Sequence, residues 1–240
     1  MIILKYLIRL ILKALYTKFD REKQVLQETN PMTFIPPERD CPLCPRLVAF
    51  REENRVKFPD KFNAPVPPFG GEDARLLIVG LAPGLKGANF SGRPFTGDYA
   101  GDLLYPTLVK FGWAEGVFAA KADDGLVLKG ARITNAVRCV PPENKPDGAE
   151  MNACRPFLAR EIAALPDLRV ILSLGLISHN AVLKTFGAKL SAHKFTHGAV
   201  HDVGGVTLID SYHCSRYNTN TGRLTTGMFE DVFEKIAELI

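Results

Sequence analysis

The feature that most constrains the fold is an alternation of short apolar runs with longer helical stretches. The apolar runs cover residues 75–80, 131–137, 169–174 and 206–210, and the helical stretches lie near residues 101–111, 150–165, 178–186 and 225–239. Strands that alternate with helices in this way form a largely parallel sheet with helices on both faces. We therefore expect an α/β fold of three layers, α/β/α, around a central, largely parallel four-stranded sheet.

The pattern divides the chain into an N-terminal extension and one domain. Residues 1–37 combine a basic, apolar helix with a polar linker, and residues 38–240 continue without a break long enough to separate domains. Lys5, Arg9 and Lys13 put a basic stripe on the apolar helix, which argues against a membrane span and against a signal peptide. Two interpretations remain for this helix: it lies on an anionic surface or a partner, or it is a leader that adds nothing to the chemistry.

Three unusual loops follow predicted strands. In an open α/β sheet the ligand crevice lies at the carboxyl ends of the strands, so these loops form the candidate site. The first is rich in glycine and spans residues 80–98, the second spans residues 138–146, and the third spans residues 211–218. The first loop lacks both the Gly-Lys-Ser/Thr ending of a P-loop and the spacing of a dinucleotide-binding fingerprint. We therefore expect neither of these nucleotide sites.

The chain has five cysteines. An odd number, with no convincing secretory leader, indicates a reducing cytoplasm and thiols that bind metal or stay free. Cys41 and Cys44 form a C-x-x-C pair, whereas Cys139 and Cys154 are isolated. One close pair with two single cysteines suits an iron–sulfur cluster better than a zinc ribbon; the alternative is that Cys139 and Cys154 are small buried apolar residues. Cys214 is left without a ligand role.

Three long motifs resemble those of one enzyme family. They are GLAPGLKGANFSGRPFTGDYAG (80–101), AVRCVPPENKP (136–146) and SYHCSRYNTNTGRLT (211–225), with SAHKFTHGA (191–199) as support. In this order they resemble the type-5 uracil-DNA glycosylases, from about Cys41 to the C terminus. The resemblance implies a monofunctional enzyme that flips uracil, or a related deaminated or damaged base, out of DNA and hydrolyses its N-glycosidic bond. It also implies that Cys41, Cys44, Cys139 and Cys154 bind a [4Fe-4S] cluster.

The same resemblance assigns the candidate catalytic residues. The leaving base gains negative charge while the sugar approaches an oxocarbenium ion, so the reaction needs a donor near the base and an anion or an oriented water near the sugar. His213 is the expected donor to uracil O2, Asp98 the expected carboxylate, and Asn144 a further positioning group. The alternatives are a structural histidine, an N-cap for the helix after Asp98 and, for Asn144, the ordinary role of asparagine in a turn.

A second set of residues is expected to bind the flipped base. Phe95 would stack on the base, unless it only packs the loop against the sheet, and Asn135 would read the base edge with its amide. Backbone amides would approach the base closely because glycine has no side chain to obstruct them; the residues concerned are Gly80, Leu81, Ala82 and Gly84. Two residues depart from the expected pattern. Leu81 stands where several glycosylase families place a polar, water-activating residue, and Asn135 is more typical of the type-4 enzymes.

The remaining candidates concern the DNA. Lys145, Arg216 and Arg223 are expected at phosphates and Tyr217 as a wedge near the vacated position, although such side chains are also common on a solvated surface. The net charge of +4 argues only weakly for a nucleic-acid partner. We expect a monomer that acts on uracil in double-stranded and single-stranded DNA. The competing hypotheses are a metal-cluster module that binds nucleic acid without catalysis and an α/β hydrolase of nucleosides or nucleotides.

Overall fold

The computed structural model describes residues 34–240, so the helix expected at the start of the chain lies outside the described residues. Among the described helices, none is both long enough and apolar enough to cross a membrane. The helices are α1 (Pro45–Lys57), α2 (Ala88–Ser91), α3 (Tyr99–Lys110), α4 (Gly148–Ala163), α5 (Leu176–Thr185), α6 (Arg216–Asn220) and α7 (Thr226–Leu239). Short 3-10 turns occur at Pro142–Asn144 and Leu190–Ala192.

The described strands form one six-stranded sheet and one small hairpin. They are β1 (Phe69–Gly70), β2 (Leu76–Gly80), β3 (Ala114–Glu115), β4 (Val127–Leu128), β5 (Ala131–Asn135), β6 (Val170–Leu174), β7 (Val200–Val203) and β8 (Val206–Ser211). The order across the large sheet is β1-β5-β2-β6-β8-β7, and β3 pairs with β4. Strands β5, β2, β6 and β8 are parallel, whereas the edge strands β1 and β7 are antiparallel to their neighbours.

Helices cover both faces of the sheet, because successive side chains of a strand point to opposite sides. On β2, Leu76 and Ile78 belong to a core cluster with side chains of α3 and α7. Leu77 and Val79 belong to a second cluster with side chains of α4 and α5. All four side chains are fully buried, and burial of each stabilises the fold by roughly 1.5–3 kcal/mol. The three-layer architecture follows from this alternation.

The expected α/β fold with a central, largely parallel sheet is confirmed. The four predicted strands are its parallel centre, and the two short edge strands complete it as a six-stranded sheet. The four predicted helical stretches correspond to α3, α4, α5 and α7, with ends that differ by a few residues. The sequence pattern did not predict helix α1, whose thirteen residues bury only Leu47, Arg51 and Asn54.

Candidate active site

The loops that follow the parallel strands β2, β5 and β8 meet at one edge of the sheet. The register pairs Gly80 with Asn135 and Leu174 with Ser211, so the strands end side by side. The loops enclose a cavity of about 420 Å³, which lies within the range of roughly 300–1,000 Å³ that small-molecule sites occupy. The predicted site residues that line it are Leu81, Ala82, Gly84, Phe95, Asp98, Asn135, Asn144, His213 and Arg216.

Gly80 lies behind this cavity, where it makes room for two side chains. A Cβ at Gly80 would lie 2.4 Å from Asn135 Oδ1 and 2.6 Å from Phe95 Cζ. The Phe95 ring lies 6.0 Å from the His213 ring, with 33° between their planes. Phe95 has a φ of 52°, in the left-handed region that non-glycine residues seldom adopt and that concentrates at functional sites. The absence of a side chain at Gly80 therefore allows an aromatic face and an amide to meet in the pocket.

A buried ion pair holds the loop that carries Phe95. The Arg93 guanidinium donates two hydrogen bonds of 2.7 Å to the Asp124 carboxylate, and its Nε donates to Thr96 Oγ1. The guanidinium also lies 5.2 Å from the centre of the Tyr105 ring, and the Tyr105 hydroxyl donates to the carbonyl of Pro94. A bidentate pair with this packing fixes the orientation of both partners. These contacts thus hold the loop in place on both sides of Phe95.

Asp98 both begins helix α3 and lines the cavity. Its Oδ1 accepts a hydrogen bond from the backbone N–H of Ala100, so the N-cap expected as an alternative role is present. A Cβ at Gly87 would lie 2.4 Å from Asp98 Oδ2, which shows that this carboxylate oxygen needs the space of a glycine. Burial raises the pKa of the Asp98 carboxyl, although hydrogen bonds from backbone amides oppose the shift. Capping and a catalytic role are therefore compatible in one side chain.

The His213 ring lies in the cavity wall as a neutral group. Burial lowers the pKa of His213 to about 4, so a neutral imidazole, with one N–H donor, is present at physiological pH. Its ring nitrogens have no hydrogen-bond partner in the part of the chain that the structure describes, and Asn218 Nδ2 donates to its carbonyl oxygen at 2.8 Å. The ring is thus available to a ligand.

Asn135 and Asn144 reach the cavity from different backbone settings. Asn135 is buried at the end of β5. Asn144 ends the short 3-10 turn with a φ of 58°, next to Glu143 at a φ of 54°. Asparagine is one of the few residues that tolerate this left-handed conformation. The turn role expected as an alternative for Asn144 is therefore present together with its place in the cavity wall.

The four DNA-binding candidates are dispersed around the third loop and the 3-10 turn. Arg216 lies 5.2 Å from the centre of the Tyr99 ring and lines the cavity. Arg223 lies 4.6 Å from the centre of the Tyr212 ring. Tyr217 is 72% exposed, and Lys145 lies near Glu143 on an exposed surface. Lys145, Tyr217 and Arg223 do not line the cavity, so the structure does not bring all the predicted site residues together.

The cavity also includes residues to which the sequence analysis assigned no individual role. They are Pro83, Ala88, Tyr99, Ala100 and Ser215. Tyr99 follows Asp98 directly, and Ser215 is the N-cap of helix α6, with its Oγ accepting from the N–H of Asn218. A polar N-cap before a short helix in a loop already assigned to the site is a signal that would have identified Ser215. Tyr99 carries no comparable signal.

The four candidate ligand cysteines line one common cavity, separate from the active-site cavity. Burial, and then the neighbouring Cys154, raise the pKa of Cys44 to about 11 and of Cys139 to about 12. Thiolates that are buried together require a cation, and metal thiolate bonds provide one. The residues present therefore fit a metal–thiolate group. Cys214 does not line this cavity and is fully buried in the core.

A second polar cluster lies at the carboxyl end of β8, around the buried Asp210. Its carboxylate accepts from Ser173 Oγ at 2.7 Å, from His179 Nδ1 at 2.7 Å and from His201 Nε2 at 3.1 Å. The other ring nitrogen of His179 faces the carbonyl oxygen of His193 at 2.9 Å. Burial acts to lower the pKa of His179, but the hydrogen bond and the charge of Asp210 outweigh it and raise the pKa. The cluster therefore favours an imidazolium paired with a carboxylate in the protein interior.

Comparisons with known proteins identify the family of the chain. The family model described as "Uracil DNA glycosylase superfamily" matches residues 67–237. The type-5 uracil-DNA glycosylase of Thermus thermophilus is 46% identical over 205 residues, which cover 83% of this chain and 93% of the relative. The type-5 enzyme of Mycobacterium bovis is 42% identical over 83% of this chain and 78% of its own. The type-4 enzyme of Sulfurisphaera tokodaii is 30% identical over 72% of this chain and 74% of its own. The chain therefore belongs to the uracil-DNA glycosylase superfamily and, within it, to the type-5 uracil-DNA glycosylases.

Proposed function

We propose that this protein is a monofunctional DNA glycosylase, which flips uracil out of DNA, hydrolyses its N-glycosidic bond and leaves an abasic site for base excision repair. The observation that carries the proposal is the convergence of Phe95, Asp98, Asn135 and His213 in one cavity at the carboxyl edge of the sheet. These are the groups that the reaction needs: an aromatic face, an amide, a carboxylate and a neutral donor. The type-5 relatives support the same activity.

In this mechanism the flipped base stacks on Phe95 while the Asn135 amide reads its edge. As the bond from the sugar to the base breaks, negative charge develops on the base, and the N–H of neutral His213 stabilises it at O2. The Asp98 carboxylate stabilises the developing oxocarbenium ion or orients the attacking water, and Asn144 assists this positioning. Water then supplies the hydroxyl group to the sugar and a proton to the base. No lysine lines the described cavity, which supports hydrolysis over a lyase step through an amine.

We further propose that Cys41, Cys44, Cys139 and Cys154 hold a [4Fe-4S] cluster. The support is their common cavity, together with a spacing of one close pair and two single cysteines. Bound there, the cluster would supply metal–thiolate bonds between the segment just before helix α1, the loop after β5 and helix α4. Analysis of iron, acid-labile sulfide and zinc in the purified protein tests this assignment. Iron and sulfide in equal amounts support it, and zinc alone would contradict it.

The proposed partners are double-stranded and single-stranded DNA that contains uracil. Lys145, Arg216 and Arg223 would contact phosphates, and exposed Tyr217 would occupy the space that the flipped nucleotide leaves. We propose that the enzyme acts as a monomer, since one chain supplies every group in the cavity. The five cysteines, all without disulfide bonds, support a reducing compartment such as the cytoplasm.

An excision assay tests the activity. Purified protein is incubated with a labelled duplex that contains one uracil, and hot alkali then reveals abasic sites. We expect cleavage that depends on alkali, and we expect His213→Ala to lose most of it while keeping its metal content. A protein that carries its metal but cleaves at none of uracil, hypoxanthine and ethenocytosine would contradict the proposal and favour a binding module. Activity on free deoxyuridine, without a need for DNA, would instead indicate a nucleoside hydrolase.

A further inference from the structure

No side-chain hydrogen bond from the described residues holds the His213 ring in place. The ring contact of His213 is with Phe95. The atoms that hold the preceding peptide therefore control the position of this candidate donor. A shift of the main chain at Tyr212 or His213 therefore moves the imidazole, because no side-chain hydrogen bond to the ring from the described part of the chain resists it.

His197 makes one of the contacts that hold this main chain, beside the N–H of Gly175 on the Ser211 carbonyl and Asn218 Nδ2 on the His213 carbonyl. The Nδ1 of His197 accepts the backbone N–H of Tyr212 at 3.1 Å, and its Nε2 donates to the carbonyl oxygen of Met228 in α7 at 3.1 Å. Its ring stacks on the Tyr212 ring, with centres 5.0 Å apart and planes 18° apart. A backbone N–H can only donate and a carbonyl can only accept, so His197 must be the neutral tautomer with its proton on Nε2.

The side chain of His197 takes the place of a main-chain hydrogen bond that the segment before β7 does not make to the end of β8. The backbone N–H of Asp210 donates to the Ala199 carbonyl, and the N–H of Gly198 donates to the Asp210 carbonyl. At Gly198 the φ of 75° turns the chain away from the sheet. The next donor on the β8 side, the N–H of Tyr212, therefore finds the His197 imidazole instead of a main-chain oxygen.

We propose that His197 is a positioning residue for the reaction: through Tyr212 it fixes the main chain that carries His213, and so sets where the donor meets the base. The inference rests on the proposed function. His197 does not line the cavity, so it touches no substrate there, and we assign its effect to His213. Loss of the Nδ1 acceptor lets the peptide of Tyr212 move, and a displacement of 1 Å at a reacting group costs on the order of 100-fold in rate.

Two substitutions separate the contacts of His197. Asparagine puts an oxygen where Nδ1 lies and keeps an acceptor for Tyr212, whereas glutamine puts an amide where Nε2 lies and keeps a donor for Met228. We expect H197Q to lower the single-turnover excision rate about 10- to 100-fold with unchanged DNA affinity, and H197N to retain clearly more activity. H193Q is the matched control: His193 is a half-buried histidine of the same segment that lies outside the cavity.

A double-mutant cycle shows whether His197 acts through His213. In the H213A background, H197Q should cost no further activity, whereas a general loss of structure would lower the residual rate again. Ring NMR signals of His213 should move in H197Q and stay in place in H197N and H193Q. A wild-type protein that does not excise uracil would refute the proposed function. If the wild type is active, any of three results would overturn the inference about His197: H197Q is fully active, H197N is as impaired as H197Q, or the losses in the double-mutant cycle are additive.

Discussion

A methyl group added at Gly80 should disable the pocket without unfolding the protein. In Gly80→Ala the new Cβ would lie 2.4 Å from Asn135 Oδ1 and 2.6 Å from Phe95 Cζ, whereas ordinary contacts begin at 3.4 Å. The amide must therefore retreat by about 1 Å and the ring by slightly less. Both groups are proposed to bind the base, and a misplacement of this size costs on the order of 100-fold in rate. The strain of the added carbon costs about 1–3 kcal/mol of stability.

Single-turnover excision on a duplex with one uracil measures the first effect, and thermal unfolding measures the second. Gly227→Ala is the matched control, because its Cβ would meet nothing within 4 Å in helix α7. Alanine in place of a helical glycine should stabilise that variant by roughly 0.5–1 kcal/mol and leave its rate unchanged. A Gly80→Ala protein that excises uracil at the wild-type rate would refute the assignment of Phe95 and Asn135 to the base.

Three further outcomes follow from the structure. Asp98→Asn should keep the N-cap, since asparagine caps as well as aspartate, and should lower the excision rate by about 100- to 1,000-fold. Because burial raises the pKa of Asp98, the acid limb of the wild-type pH–rate profile should lie above the ordinary pKa range of a carboxyl group. Cys139→Ala should lose iron and visible absorbance together and on the order of 4 kcal/mol of stability, whereas Cys214→Ala should keep its iron. Burial acts to lower the pKa of His179, but the hydrogen bond and charge of Asp210 outweigh it and raise the pKa. The resulting contribution to stability should be complete below the unfolded pKa of about 6.5 and should fade as pH rises through the folded pKa. Denaturant titrations at several pH values should find this dependence absent in His179→Asn.

The centre of the sheet was predictable because β2 and β6 are short, almost continuous apolar runs. Every residue of β2, β5 and β6 is buried, which is the pattern of a parallel sheet covered on both faces. The edge strands were not predictable for the opposite reason. Strand β1 has two residues, and in β7 only Val203 is buried, so neither carries an apolar run. Helix α1 was missed because its buried face is narrow and partly polar.

The candidate site was predictable to the extent that its chemistry lies in loops after strands. Asp98, Asn135 and His213 meet because parallel strands end at the same edge, and that follows from the fold class alone. Individual contacts do not follow from it. Tyr99 reaches the cavity only because Asp98 begins helix α3 there. The common cavity of Cys41 and Cys139 depends on how α1 packs, and spacing along the chain does not contain that information.

The division between predictable and unpredictable parts has a physical cause. Groups that touch a substrate must have particular chemistry, so residue type reveals them. Groups that position them need only the right shape or a single hydrogen bond, and many residue types supply these in many places. Gly80 acts by lacking a side chain, Arg93 by pairing with Asp124 behind the Phe95 loop, and His197 by accepting one backbone N–H. Catalysis in such a pocket requires that the reacting groups are placed to within about 1 Å. The positioning residues, which are the hardest to identify from the sequence, should therefore determine much of the rate.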